Sequence, residues 1–336
     1  GFPRRGSRRQ WAFTRKMRRI RLLGFGGLWL LVLLAIAGLS GGCRKARDEN
    51  APRAEIVRTD GPLEVKAATF NIRNDLNQDD TKTRAWINRV PSAVRLIRKM
   101  APDVMGMQEL THGQAADLRA SLPDYGFFGK AREDGDRKGE YAGIFYREDR
   151  FAADRSDGGT FWFSDTPEKP GSMTWGNTFP RVATWIRLID RSTGRGFYVF
   201  NTHFDHRHQG SREKAAILLA QRIDGRKNGD EPVVLLGDFN AVESNPAVAY
   251  LAGKSGMVAG TQRQWSHSLV DTFQLTHPAE RNRRTLHLWT GSHEGGLKVD
   301  HILVSKGAQV VETDIVADVA PFASDHFPVT ARVIFR

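Results

Sequence analysis

The chain reads as one α/β domain behind a leader of different composition. Three observations carry this reading: strand-like runs outnumber helix-like runs, the two kinds alternate, and no shift in composition divides the region from residue 61 onward. Such a series buries its apolar faces most simply as sheets with helices packed outside them. The strand-like runs are 63–70, 104–107, 141–146, 182–189, 197–201, 233–236, 299–304, 310–316 and 328–335. Each is short and apolar, as a buried or half-buried strand requires. The helix-like runs are 91–100, 113–121 and 211–223, which are longer and repeat their apolar residues at helical spacing. No internal repeat interrupts the series. Segment 161–180 has no periodicity and is rich in aromatics, Gly and Pro. Loops of that length are uncommon unless they have a function or are disordered. Trp162, Trp175 and Phe179 suit either a lid that packs its own rings or a stacking surface for a ligand.

Charge is concentrated at one end. The 336 residues carry a formal net charge of +12, which at first points to nucleic acid or an anionic surface. Nine of the 50 Lys and Arg residues, and none of the 38 acids, fall in residues 1–43, so the remainder holds 41 basic against 38 acidic residues, or +3. The charge of the folded region therefore gives no argument for DNA. The leader has the layout of an export signal: a basic stretch ending at Arg21, an apolar run over 22–39, then Ser40, Gly41, Gly42 and Cys43, with Met17 fitting a start. The run also has the length of a membrane anchor, about 17–25 residues. Small residues before the sole cysteine resemble a lipobox, in which Cys43 is lipidated. Lipoprotein, cleaved signal and uncleaved anchor all place the domain outside the cytoplasmic membrane, at the cell envelope or secreted. Residues 44–60 are polar and aperiodic, a tether. Residues 61–336 form the expected catalytic domain, a monomer without disulfides because no cysteine follows Cys43.

Five motifs stand at or just beyond the ends of apolar runs: Asn71 in TFN, Glu109 in MQE, His203 in NTH, Asp238 and Asn240 in GDFN, and Asp325 and His326 in SDH. In LLGDFN, Gly237 lets the backbone turn, and Asp238 and Asn240, two apart on extended chain, face one side. A carboxylate there can orient or deprotonate water while the amide donates to a phosphate oxygen. His326, if protonated, can neutralise charge developing on a phosphoryl group. Asp300, entering the run KVDHILV, is the candidate to hold its other ring nitrogen. Glu109 ends a buried run, where a carboxylate is costly unless compensated, and a divalent cation compensates it well. Hard oxygen donors without a Cys/His cage point to Mg²⁺ or Mn²⁺. After His203, Arg207 and Arg212 supply positive field, and Arg181 is a possible bidentate clamp on phosphate. Each motif has an ordinary alternative as a turn, a cap or a solvated loop. Together they offer complementary roles at successive strand exits.

These residues resemble the endonuclease/exonuclease/phosphatase superfamily, with the fold of pancreatic-type deoxyribonuclease. TFN, QE, NTH, GDFN, VDHILV and SDHFPV occur in the family's order over residues 63–336. The resemblance implies a four-layer α/β sandwich, two facing mixed sheets flanked by helices, with the site at one edge between them. It implies Glu109 as principal metal ligand with Asn71 and Asp325 nearby, and Asp238 and Asn240 orienting water and phosphate. His203 and His326 would contact phosphate, with Asp300 supporting His326. In detail, RVATW and GEYAGIFYR are most similar to a bacterial secreted branch. The expected activity is metal-dependent hydrolysis of a phosphoester, with a phosphodiesterase or nuclease first and a phospholipid or sugar-phosphate ester second. A catalytically silent binding module is the alternative of another class.

Overall fold

The computed structural model describes residues 61–76, 83–318 and 320–336. The leader, Cys43 and the tether lie outside the described residues. The elements run β1 (Leu63–Asn71), α1 (Trp86–Met100), β2 (Val104–Leu110), α2 (His112–Ser121), β3 (Tyr125–Phe128), β4 (Tyr141–Arg147), β5 (Phe151–Trp162), β6 (Val182–Asp190), β7 (Gly196–His203) and α3 (Gln209–Asp224). They continue with β8 (Val233–Asp238), α4 (Pro246–Leu251), β9 (Gly256–Val258), β10 (Thr261–Arg263), β11 (Leu269–Asp271), α5 (Thr272–Thr276), β12 (Asp300–Ser305), β13 (Gln309–Ile315) and β14 (Val329–Phe335).

Two six-stranded sheets form, ordered β13-β14-β1-β2-β4-β3 and β11-β12-β8-β7-β6-β5, with β9 and β10 as a separate hairpin. Each sheet has one parallel pair at its centre, β1 with β2 and β7 with β8, and antiparallel neighbours outside it. The sheets pack face to face, β1 against β8 and β12, and β2 against β7 and β8. Between them lie Val65, Val104, Ile144, Ile186, Val199, Leu236, Ile302 and Val333, all buried. Each such side chain contributes about 1.5–3 kcal/mol when fully buried. On the outer face of the first sheet Phe70, Met107 and Phe145 meet Ala93, Ile97 and Leu118 of α1 and α2. On that of the second, Phe200 and Leu235 meet Leu219, Ile223 and Leu251 of α3 and α4. The result is the four-layer sandwich that the resemblance implies.

A polar bridge crosses the inter-sheet core below the site. Asn201 donates to the carbonyls of Met107 and Gly143, at 2.9 and 2.8 Å, and accepts from Gln108 at 2.6 Å. Gly106 makes room for it, since a Cβ there would meet Asn201 Oδ1 at 2.6 Å.

Several element bounds differ from expectation. α1 begins five residues before Pro91, the expected start, because Trp86 and Arg89 are buried under its first turn. β5 and β3 were not expected as strands: β5 mixes Asp, Arg, Ser and Gly, and pairs with β6 across a register shift between Asp154 and Gly158. Of segment 161–180, Phe161 and Trp162 belong to β5. Trp162 is buried and donates to the Arg132 carbonyl at 2.6 Å, whereas Phe179 is exposed.

Candidate active site

The C-terminal ends of β1, β2, β7 and β8 share a rim with the start of β12 and the residues before β14, because the outer strands run antiparallel to their neighbours. This topology brings Asn71, Glu109, His203, Asp238, Asp300 and His326 together from positions spread over more than two-thirds of the chain.

Asn71 joins the sheets at this rim. Its Nδ2 donates to Glu109 Oε1 at 3.1 Å and to Asp238 Oδ2 at 2.9 Å, and its Oδ1 accepts from the Arg73 amide at 3.0 Å. The side chain thus presents N–H groups to both carboxylates. In this position it braces the two carboxylates, and its Oδ1, an acceptor with two lone pairs, is the atom through which it would reach a cation.

Glu109 sits in a bulge. The register of β2 against β4 shifts between Met107 and Leu110, and Glu109 has φ 56°. That left-handed conformation costs a residue with a Cβ about 1–2 kcal/mol, and it turns the carboxylate out of the strand toward the rim. Asn74 donates to Glu109 Oε2 from its backbone at 3.2 Å and its side chain at 3.0 Å. Burial alone would raise the Glu109 carboxyl, but the His326 charge, the Asn71 hydrogen bond and Arg73 together hold it below the usual range.

Asp238 is fully buried at the end of β8. Its Oδ1 accepts from the Asn240 amide at 2.8 Å, and its Oδ2 lies 3.5 Å from His203 Nε2 and 3.9 Å from His326 Nε2. Burial and the nearby Asp300 charge push it up to about 7, against the opposing His326 charge. Asn240 has φ 47°, and its amide donates one hydrogen to the Phe204 carbonyl at 3.0 Å.

The two histidines differ in protonation. His326 Nδ1 lies 2.9 Å from Asp300 Oδ2, and although burial opposes its charge, Asp300 and then Asp238 and Asp325 push it up to about 10. It is an imidazolium at neutral pH. His203 is driven well below its ordinary value by burial and by the charges of Arg181 and Arg132. Arg181 Nη1 lies 3.3 Å from His203 Nδ1 and can only donate, so the neutral ring carries its hydrogen on Nε2, toward Asp238.

Behind His203 stand residues that the sequence analysis missed. Arg132 pairs with Glu140 at 2.5 Å, Glu140 accepts from Asn74 at 3.1 Å, and Glu140 Oε2 lies 4.0 Å from His203 Nδ1. Burial raises the Glu140 carboxyl, with Arg132 opposing and the Glu109 charge adding to it. Glu140 enters an apolar strand in the same manner as Asp300, and Asn74 repeats Asn71 three residues on; both signals were present in GEYAG and TFNIRN. Arg132, Glu140, Arg181 and His203 line a small pocket of about 10 Å³, about the space one water needs. A wider depression of about 740 Å³ lies on the outer helical layer, against α1 and the end of α2, away from the carboxylates.

The expected arginines separate. Arg181 is buried at the site, with Nη2 at 2.9 Å from His206 Nδ1 and Nε at 3.7 Å from Asp205 Oδ2. Arg207 is exposed. Arg212 donates to Gln209 Oε1 at 3.1 and 2.6 Å and to the Asp205 carbonyl at 2.8 Å. These bonds close the turn into α3 and commit the Arg212 guanidinium to that loop.

For a metal, Glu109 and Asp325 offer the fitting donors. Asp325 is raised by burial and by the Glu109 charge, with His326 and Arg73 opposing; Arg73 Nη1 lies 3.7 Å from Asp325 Oδ2. A half-buried and a buried carboxylate that repel at one rim are a hard-oxygen donor set, which suits a divalent cation. Asp238, Asp300 and His326 also have ligand atoms within 4.8 Å of one another. Within that group Asp300 Oδ2 lies 2.9 Å from His326 Nδ1.

The model of the Endonuclease/Exonuclease/phosphatase family matches residues 68–326. A crystal structure of an endonuclease/exonuclease/phosphatase from Bacteroides vulgatus is 33% identical, with a TM-score of 0.72 over 82% of this chain and 100% of that one. A Bacteroides thetaiotaomicron structure described as a mannosyl-6-phosphatase is 28% identical, with a TM-score of 0.70 over 81% of this chain and 100% of that one. An uncharacterised protein of Acanthamoeba polyphaga mimivirus is 27% identical over 183 residues, 52% of this chain and 67% of the relative. The chain spans between 21% and 31% of the length of three further curated relatives.

Proposed function

Since the chain belongs to the endonuclease/exonuclease/phosphatase family, a family of phosphoester hydrolases, we propose that it is a Mg²⁺- or Mn²⁺-dependent phosphoester hydrolase in which water attacks phosphorus directly. The observation that carries this reading is the placement of Asp238, a fully buried carboxyl with Oδ2 3.5 Å from His203 Nε2 and 3.9 Å from His326 Nε2, which burial and Asp300 push up to about 7. Asp238 takes the proton of the attacking water, a task suited to a base that titrates near neutrality. His203 Nε2–H and the second amide hydrogen of Asn240 donate to phosphoryl oxygens. The His326 imidazolium, held by Asp300, neutralises the charge that builds up on them. Glu109 and Asp325 would hold the cation, which when bound polarises the phosphoryl group.

Within this class we favour a small ester, such as a sugar phosphate, over the polynucleotide that the sequence alone put first. The near-neutral charge of residues 44–336, the commitment of Arg212 to a loop and the similarity, over 81% of this chain, to a structure described as a mannosyl-6-phosphatase support that choice. The leader motifs support export to the cell envelope. Turnover of mannose 6-phosphate, nucleotides, DNA, RNA and phospholipid should be measured with Mg²⁺, Mn²⁺ and chelator, across a salt series. We expect chelator-sensitive hydrolysis of a small ester with little salt dependence, because one phosphate releases few counterions. Steeply salt-dependent cleavage of DNA or RNA alone would reverse the substrate choice, and undiminished activity in chelator would remove the metal.

A further inference from the structure

A second buried charge cluster lies behind the Asp238–Asn240 turn. Lys298, only 3% exposed, has Nζ at 2.9 Å from His301 Nδ1, 3.2 Å from Glu243 Oε1 and 3.5 Å from Asp271 Oδ2. Asp271 Oδ2 is itself 2.7 Å from His301 Nδ1, and its Oδ1 caps α5 by accepting from the amides of Phe273 and Gln274. His301 then meets the turn twice. Its Nε2 lies 2.9 Å from the Ala241 carbonyl, which can only accept, and its ring packs edge-on against Phe239 at 5.3 Å and 89°. Phe239 and Ala241 flank Asn240, whose φ of 47° is a left-handed conformation that relaxes unless its surroundings hold it.

A buried ion cluster is poor evidence for stability, because desolvation of the charges offsets their attraction and an apolar replacement is often as stable. Orientation is what this cluster determines. Lys298 and Asp271 leave the imidazole one position, and Lys298 also ties down Glu243 at the far end of the same turn.

We propose that His301, set in place by Lys298, Asp271 and Glu243, is a positioning residue that aims the Asn240 amide at the phosphate. The proposal rests on the reading that Asn240 contacts substrate. It is tested by a double-mutant cycle on the full chain, with 4-nitrophenyl phosphate and Mn²⁺ as probes. His301→Leu should lower kcat/KM about tenfold, as loss of a residue that orients an active group does. Added to Asn240→Ala, it should cost little more, because the group it aims is already gone. Glu243→Gln, at a side chain 23% exposed, gives a milder loss of the same pattern if His301→Leu does not fold. Additive losses across the cycle, or unchanged kcat/KM with a lower Tm, would overturn the proposal. Hydrogen exchange of amides 239–243 is the arm independent of activity: faster exchange in either variant supports the brace, and unchanged protection refutes it even if the wild type hydrolyses nothing. A wild type that is inactive on every phosphoester, with the brace intact by exchange, would sink the functional reading alone.

Discussion

His326 Nδ1 and Asp300 Oδ2 stand 2.9 Å apart, in a place where neither is exposed enough to be screened by water. Burial alone would discharge the ring, and Asp300 outweighs it to push His326 up to about 10. The charge on His326 is therefore maintained by a buried carboxylate at the start of β12.

A change at Asp300 should appear on the alkaline side of the pH profile. Wild-type kcat/KM should fall as pH rises through about 10, and Asp300→Asn should bring that limb down toward the ordinary histidine value. The stability linkage has the same sign. A folded-state pKa raised from 6.5 to about 10 gives stability that is complete below about 6.5 and lost as pH rises through about 10. Urea midpoints measured from pH 6 to 10.5 should show this decline in the wild type and a smaller one in Asp300→Asn. Coincident profiles would separate Asp300 from the protonation of His326.

Asp238 should govern the acid limb. Pushed up to about 7 by burial and by Asp300, it loses its capacity as a base when pH falls through that value. Asp238→Asn should remove the limb and reduce kcat by about 10²–10⁴-fold, the range for a general base. Its melting transition should stay within about 1–2 kcal/mol of the parent, since the amide avoids burying a charge. Activity within tenfold of wild type would take Asp238 out of the mechanism.

Glu109 should set metal affinity. The conservative variant Glu109→Gln keeps the shape of the bulge and the bonds from Asn74 but removes the charge. Outer partners of a metal site are worth about 10–100-fold in affinity, so loss of a direct ligand should raise the Mn²⁺ concentration for half-maximal activity by at least about tenfold. Isothermal titration with Mn²⁺ alone checks the same point without turnover. Equal Mn²⁺ affinity in variant and parent would exclude Glu109 as a ligand.

The site was legible in the sequence to the extent that strand ends mark it. Asp238 and His326 end or precede runs whose burial is plain from composition, and in each sheet the parallel pair sends its two C-terminal ends the same way. Which atom of a residue faces the rim was not legible. Asn71 turns its nitrogen to Glu109 and Asp238 because the Arg73 amide occupies its oxygen, a contact set by a local turn. Glu140 and Arg132 were missed for a related reason: their partner, His203, lies on the other sheet, and only the packing of the sheets makes them neighbours. β5 was missed because its Gly and charged residues break the alternation that marks a strand, while β6 supplies the pairing edge.

Arg89 links helix packing to the rim. Only 1% exposed on α1, it donates to the carbonyls of Arg84, Ile72, Ala323 and Arg73 at 2.6–2.8 Å, and lies over the rings of Trp86 and Trp289 at 5.2 and 5.8 Å. Two of these carbonyls belong to the 72–74 turn, whose Asn74 holds Glu109 and Glu140. Arg89→Met keeps the apolar stem but leaves buried carbonyls without donors, at about 1–3 kcal/mol each if water does not replace them. A loss of about 3–5 kcal/mol is expected, the range for breaking a buried charged network, read as a lower urea midpoint with an unchanged m-value. Because the turn also aims Asn74, the folded fraction should bind Mn²⁺ more weakly than the parent. A stability loss with parental Mn²⁺ affinity would show that Arg89 holds the helix and not the site.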